Sequence, residues 1–135
     1  MALRLTLLLP LVLLAAGCGA DDETGGPGSI PPKPLAQLVV RVDADGKGAA
    51  PAKELRIRCE SAGESPACSA ADALKPADFA PVPADKACTQ IFGGPQTASV
   101  TGSLRGEDVD GGFSRQNGCE VARWEAVAAL LDQVK

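Results

Sequence analysis

The chain has 135 residues, of which 13 are Lys or Arg and 17 are Asp or Glu, and it contains no histidine. Without histidine, Ser-His-Asp and Cys-His catalytic groups and His-ligated metal sites are excluded. The net charge of -4 argues against nucleic acid as a partner, because proteins that bind nucleic acid carry clustered positive charge.

The N-terminal residues have the pattern of a bacterial export signal. Arg4 gives a positive start, and residues 5–16 form an apolar run that is too short to span a membrane as a helix. The sequence LAAGC, which ends at Cys18, resembles the lipobox of bacterial lipoproteins. We therefore expect residues 1–17 to be a lipoprotein signal peptide and Cys18 to be lipidated. Cleavage at Ala20 without lipidation is the alternative.

Residues 18–34 are rich in glycine, proline and acidic residues, and Ile30 is the only large aliphatic residue after Cys18 in this segment. Such a segment cannot bury enough apolar surface to fold, so we expect a stalk. Two acyl chains are enough to hold a protein on a membrane. The predicted location is the outer face of the cell membrane, with release by stalk cleavage as an alternative. Residues 35–135 form the predicted single domain.

Two pairs of alternating segments predict two β-hairpins. Residues 36–42 (AQLVVRV) and 54–60 (ELRIRCE) are typical of strands, and DADGKG between them supplies turn residues. Residues 97–104 and 109–113 alternate in the same way around the predicted turn RGED. DADG, which begins at Asp43, also resembles the start of a calcium loop. The later ligand positions carry lysine, glycine, alanine and proline, which favours a turn.

Two helices are predicted. Ser69, followed three residues later by Asp72, resembles a capping box at the start of a helix that ends before Pro76. After Cys119, the segment EVARWEAVAALLDQ places apolar side chains on one helical face. That face consists of Val121, Trp124, Val127, Ala128 and Leu131. Together with the hairpins, these helices predict an α+β domain with an antiparallel sheet.

Four cysteines remain once lipidation accounts for Cys18. An even number is typical of disulfides in an exported protein, and the residues alone leave all three pairings open. The four are Cys59, Cys68, Cys88 and Cys119.

Carboxylates carry the catalytic chemistry that remains. Glu107, Asp108 and Asp110 could in principle transfer protons, but that work needs carboxyl groups in opposed environments, and residues clustered at a turn are expected to be solvated. The chain also lacks a phosphate-binding glycine motif. We therefore expect a binding function with no enzyme activity, no cofactor and no metal.

Four segments of the predicted domain carry a recognisable pattern: RIRCE, ACSAADAL, CTQIFGGPQTASVTGSLRG and FSRQNGCEVARW. They resemble the subtilisin inhibitor family of secreted bacterial proteins over about residues 36–131. NGCEVARW and the order of the four cysteines are the most specific parts. The resemblance implies a five-stranded antiparallel sheet with two helices, disulfides Cys59–Cys68 and Cys88–Cys119, and a homodimer formed through the sheet.

Members of this family are substrate-like inhibitors that hold a rigid loop in the cleft of a serine protease. The resemblance implies Gln90–Ile91 as the reactive bond, with Gln90 entering the primary specificity pocket. The implied binding loop consists of Cys88, Thr89, Gln90, Ile91, Phe92 and Gly93. Because Gln90 is neutral, the predicted target is an extracellular subtilisin-like protease and not a trypsin-like one.

The chain departs from the family pattern at three places. The Gly-Gly pair at residues 93–94 replaces less flexible residues, Pro95 lies one position further from Cys88, and the interval between the first two cysteines of the domain is shorter. These departures and the lipid anchor leave an alternative. In it, the chain is an envelope lipoprotein of the same fold that does not inhibit proteases and binds another cell-surface protein.

Overall fold

The sheet and helices of the protein are seen in a computed structural model that describes residues 32–48 and 50–134. The predicted signal peptide, Cys18 and most of the predicted stalk lie outside the described residues. The strands are β1 (Ala36–Asp43), β2 (Lys53–Cys59), β3 (Thr97–Leu104) and β4 (Glu107–Phe113). The α-helices are α1 (Pro66–Asp72) and α2 (Gly118–Leu131), and short 3-10 helices span Ala62–Glu64 and Pro76–Phe79.

Both predicted hairpins are confirmed, and they join into one antiparallel sheet of order β2-β1-β3-β4. Val40 of β1 lies opposite Leu55 of β2 and Val100 of β3. The pairing therefore brings the apolar positions of neighbouring strands onto one face, as the alternation in the sequence requires.

The expectation of five strands is wrong, because the described residues form a four-stranded sheet. The long connection of residues 80–96 adds no strand to it. Pro81, Pro83 and Pro95 interrupt this connection and lack the amide donor that a sheet ladder needs. The backbone bonds of residues 88–96 go instead to the segment 115–118 at the start of α2.

The core lies between the inner face of the sheet and the helices. The edge-to-face contact of Phe79 with Phe113, with ring centroids 6.3 Å apart, joins the second 3-10 helix to β4. Helix α2 buries Val127, Leu130 and Leu131, and Trp124 packs half-buried against the same core, as predicted. The largest fully buried side chains are Phe79, Leu38, Leu104, Leu130, Val40, Val100, Val127 and Cys59.

Helix α1 begins earlier than predicted. Its N-cap is Ser65, whose side chain accepts a hydrogen bond from the Cys68 amide at 3.1 Å, and Pro66 occupies the first turn. Proline is favoured there because the missing N–H would have no helical partner. Ser69, the predicted cap, lies inside the helix and donates its hydroxyl proton to the Ala62 carbonyl at 2.9 Å. The correct signal was therefore the Ser-Pro pair.

Arg105 joins the turn between β3 and β4 to the end of α1. Its guanidinium donates to the carbonyl oxygens of Asp72 and Leu74, both at 2.6 Å, and to the Asp72 carboxylate at 2.8 Å. The backbone of Arg105 has φ 51°, and Gly106 follows with φ 78°, as a tight hairpin turn requires. Arg105 therefore satisfies carbonyl groups that the end of α1 leaves without helical partners.

The disulfide pairing implied by the resemblance is confirmed. Cys59–Cys68 joins β2 to α1, and Cys88–Cys119 joins the long connection to the first turn of α2.

Among residues 32–48 and 50–134, the helices are too short or too polar to cross a membrane.

Candidate functional site

The predicted binding loop, Cys88–Gly93, is fastened at both ends to the start of α2. The disulfide holds Cys88 to Cys119, and the Gly118 amide donates to the Thr89 carbonyl at 2.9 Å. At the other end, the Gly93 amide donates to the Arg115 carbonyl at 2.7 Å. The loop thus has one covalent and two hydrogen-bonded attachments to a single neighbouring segment.

The three residues between these attachments are unpaired. Residues 89 and 93 are four positions apart, whereas their partners 118 and 115 are three apart, so the loop has one residue more than the segment to which it is attached. Among the described residues, the backbone groups of Gln90, Ile91 and Phe92 take part in no intramolecular hydrogen bond. These donors and acceptors are available to the backbone of a partner.

The loop displays two large apolar side chains. Ile91 is 59% exposed and Phe92 is 66% exposed, and they are the strongly exposed large hydrophobic residues of the described part of the chain. Phe79 and Phe113, the other two phenylalanines, are 2% and 3% exposed. Since an exposed Phe gains little from folding, this adjacent pair is the candidate contact surface of the loop.

The Gly-Gly pair has a structural reason. A Cβ atom at Gly93 would lie 2.7 Å from Cγ2 of Val121 and 3.3 Å from Cβ of Arg115, so a side chain there would push the loop off α2. Gly94 has φ 136°, a conformation that other residues rarely adopt. The departure from the family pattern at this pair therefore lets the backbone approach the helix closely.

The segment under the loop is itself held in place. Asn117 caps α2 by accepting from the Glu120 amide at 3.0 Å. The Arg115 guanidinium carbon lies 5.8 Å from the ring centroid of Trp124, and an Arg115 nitrogen lies 3.7 Å from the Glu125 carboxylate. The capped helix and the cation–π contact fix the platform that the loop rests on.

The turn after β1 supports the C-terminal end of the loop region. Its Asp43 carboxylate accepts hydrogen bonds from the amides of Asp45, Gly46 and Gly48 at 2.9 to 3.1 Å. Although burial raises the pKa of Asp43, these hydrogen bonds hold it below its ordinary value. The backbone of Gly46 packs directly on the Pro95 carbonyl. The Asp43 carboxylate therefore organises a turn, as predicted.

The carboxylates considered for acid–base chemistry lie elsewhere. Glu107, Asp108 and Asp110 belong to β4, not to the turn, and all three are exposed to solvent. They lack the opposed environments that would set one carboxyl group apart as an acid. Within the described residues, no group of three or more His, Cys, Asp or Glu side chains is arranged to hold a metal ion.

Sequence reasoning missed the residues that support the binding loop. Arg115, Gly118 and Val121 contact it, but nothing in a linear pattern connects them to residues 88–93. Their signal is position: they flank Cys119, which the disulfide places beside Cys88.

No protein-family model matches the chain, and no match was found among curated proteins or solved structures. The resemblance to the subtilisin inhibitor family therefore remains a prediction carried by the quoted segments, and the function of the loop is a proposal.

Proposed function

We propose that this domain is an inhibitor of extracellular subtilisin-like serine proteases. It presents residues 88–93 to the protease cleft as a substrate, with Gln90–Ile91 as the reactive bond. The protein acts on the outer face of the cell membrane, held there by lipid at Cys18.

One observation carries the proposal: the backbone of Gln90, Ile91 and Phe92 is unpaired although both ends of the loop are fastened. A protease binds its substrate as an extended strand through backbone hydrogen bonds, and such bonds need free donors and acceptors. A flexible peptide with the same free backbone groups would also bind to the protease, but it would be cleaved as an ordinary substrate.

The attachments explain how binding could end in inhibition. A loop that already has its bound shape loses little conformational entropy when it binds, so it binds more tightly than a flexible substrate. If the reactive bond is cut, Cys88 and Gly93 keep the two new ends on α2. The ends stay close enough to rejoin, and the product does not leave.

The proposed homodimer uses the outer face of the sheet, and its charges support this. Arg56 and Arg58 point outward from β2 at one edge, where they form ion pairs with Glu54 and Glu60. Asp108 and Asp110 point outward from β4 at the other edge. If two faces meet about an axis along the strands, the two arginines of one copy lie over the two aspartates of the other, and both arginines can exchange their glutamate partners for these aspartates. Equilibrium sedimentation at low and high salt tests this, since salt should weaken the pair.

The test of inhibition is a titration of subtilisin with oxidised residues 19–135, following residual activity and the integrity of Gln90–Ile91. We expect activity to be lost at an equimolar ratio with most of the bond intact. Gln90→Pro should abolish inhibition because the ring removes an N–H and fixes φ within the reactive strand. Its thermal unfolding should be unchanged, since the Gln90 amide has no intramolecular partner in the described residues.

Rapid cleavage at Gln90–Ile91 with subtilisin activity untouched would contradict the proposal. That result would favour the alternative of an envelope lipoprotein that keeps this fold to bind another cell-surface protein.

A further inference from the structure

We propose that the binding loop recognises its protease chiefly through the residues after the reactive bond, Ile91 and Phe92. This inference rests on the proposed function and describes its partner. The target is a serine protease whose cleft has two apolar subsites on the primed side, where the residues that follow the scissile bond lie.

The exposed apolar surface of the loop lies entirely on that side. Ile91 and Phe92 are adjacent, 59% and 66% exposed, and carried by backbone that is fastened at Gly93. Aromatic side chains contribute strongly to the energetics of protein interfaces, and a fastened backbone lowers the entropy that their binding costs. Burial of these two side chains against apolar walls is the largest apolar gain that the loop offers.

Gln90 offers less to the primary specificity pocket. Its side chain is exposed and neutral, and burying its amide is favourable only where the pocket satisfies both the donors and the acceptor. A glutamine also loses more rotamer freedom on burial than an isoleucine. Phe92 has only two side-chain torsions to fix. We therefore expect the residues after the reactive bond to contribute more to protease binding than Gln90 does.

The placement of the loop favours a protein partner over the membrane. Leu35, just before β1, accepts a hydrogen bond from the Arg105 amide at 2.8 Å, whereas Pro95 contacts Gly46, just after β1. A strand of eight residues is about 25 Å long, so the chain enters the domain at the end of the sheet opposite the loop. Ile91 and Phe92 therefore lie at the end of the domain far from the point where the chain enters it, which favours contact with a protein over contact with the membrane.

The experiment compares inhibition constants for subtilisin, measured with a peptide anilide substrate, for oxidised residues 19–135 and five variants. Ile91→Ala and Phe92→Ala should each weaken inhibition roughly ten- to hundredfold, and Phe92→Leu should recover most of that loss. Gln90→Ala should change the constant by less than about threefold, because its net hydrogen-bonding gain is small. Leu35→Ala, at the end of the sheet opposite the loop, is the apolar control and should leave the inhibition constant unchanged.

The outcomes separate this inference from the function it rests on. If the unmodified domain fails to inhibit, the proposed function falls and the inference falls with it. If the domain inhibits but Ile91→Ala and Phe92→Ala stay within twofold while Gln90→Ala weakens it tenfold, only the inference is overturned. Binding to anionic phospholipid vesicles that Phe92→Ala abolishes, with inhibition unchanged, would reassign the apolar pair to a membrane and would also overturn it.

Discussion

The two disulfides lie in different surroundings, and the difference separates what holds the domain together from what shapes the binding loop. Cys59 and Cys68 are 0% and 3% exposed and join β2 to α1 inside the core. Cys88 and Cys119 are half-exposed and join the loop to the first turn of α2. We expect the buried bridge to determine stability and the half-exposed bridge to determine inhibition.

The largest effect should come from removing the buried bridge. Cys59→Ala with Cys68→Ala should lower the free energy of unfolding by about 4 kcal/mol. About 3 kcal/mol is the chain entropy of a short closed loop, and the rest is lost packing of two core sulfurs. Denaturant unfolding measures this against a typical total of about 5 to 15 kcal/mol. The fraction that remains folded should still inhibit. A loss below about 1 kcal/mol would contradict this role.

Removing the half-exposed bridge should affect inhibition more than stability. Cys88→Ala with Cys119→Ala should weaken inhibition at least roughly a hundredfold and convert the domain into a substrate cut at Gln90–Ile91, because one end of the loop is freed. Measurement of the inhibition constant and of bond integrity over time tests this.

The same pair of double variants separates two accounts of disulfide stabilisation. Chain entropy alone ranks the half-exposed bridge higher, since it closes a sequence separation of 31 against 9. If burial decides, the Cys59–Cys68 disulfide should stabilise the domain more. Val127, Leu130 and Leu131 hold α2 to the core without Cys119, so loss of Cys88–Cys119 should cost less. If loss of Cys88–Cys119 destabilises the domain more, the entropy of the unfolded chain determines how much each disulfide stabilises.

The sequence predicted the sheet and the region of the buried disulfide better than it predicted the residues that support the binding loop. The hairpins were predictable because Leu38, Val40 and Ile57 alternate with polar residues and pair in register. The start of α1 was misplaced because Ser65 and Ser69 are both plausible caps. The hydrogen bond from the Cys68 amide to Ser65, and the contact of Ser69 with Ala62, show that Ser69 lies inside the helix.

The fifth strand was expected from the resemblance and not from the residues, whose alternation supports four strands. The residues of the binding loop also came from the resemblance. Their support by Arg115 and Val121 could not be predicted, because it arises only when the chain folds and α2 comes to lie beneath the loop. Local periodicity contains no information on that contact.

A smaller change should disturb the loop platform alone. A methyl group at Gly93 would meet Val121 and Arg115 within 3.3 Å, so Gly93→Ala should lift the loop by a few tenths of an ångström and weaken inhibition roughly tenfold. Its matched control is Gly112→Ala on β4, where an added Cβ has no neighbour within 4 Å. Equal inhibition constants for the two variants would show that the close packing of Gly93 on α2 is not needed.

Lowering the pH should have the smallest effect, and it should reduce the stability of the region around the Cys59–Cys68 disulfide. Glu64, between Cys59 and Cys68, accepts from the backbone amides of Glu60 and Ser61, and these bonds hold its pKa below the ordinary 4.5. The bond from the Arg41 side chain does the same to the pKa of Glu54. Because the folded pKa values are depressed, the carboxylates stabilise the domain above about pH 4.5. That contribution is lost as the pH falls through the folded values.

The binding loop should respond less to the same change, since residues 89–104 contain no ionisable side chain. The carboxylates that act on it belong to its supports: Asp43 in the turn under Pro95, and Glu125 beside Arg115. In amide NMR spectra recorded from pH 7 to pH 3, the signal of Ser61 should move as Glu64 is protonated, while those of residues 90–92 should move less. Glu64→Gln should remove the movement and reduce the loss of stability in acid. Asp108→Asn, which alters an exposed carboxylate of β4, is its control. Loop signals that move as far as the Ser61 signal would mean that the two regions are coupled, and the assignment of stability to one disulfide and inhibition to the other would then be wrong.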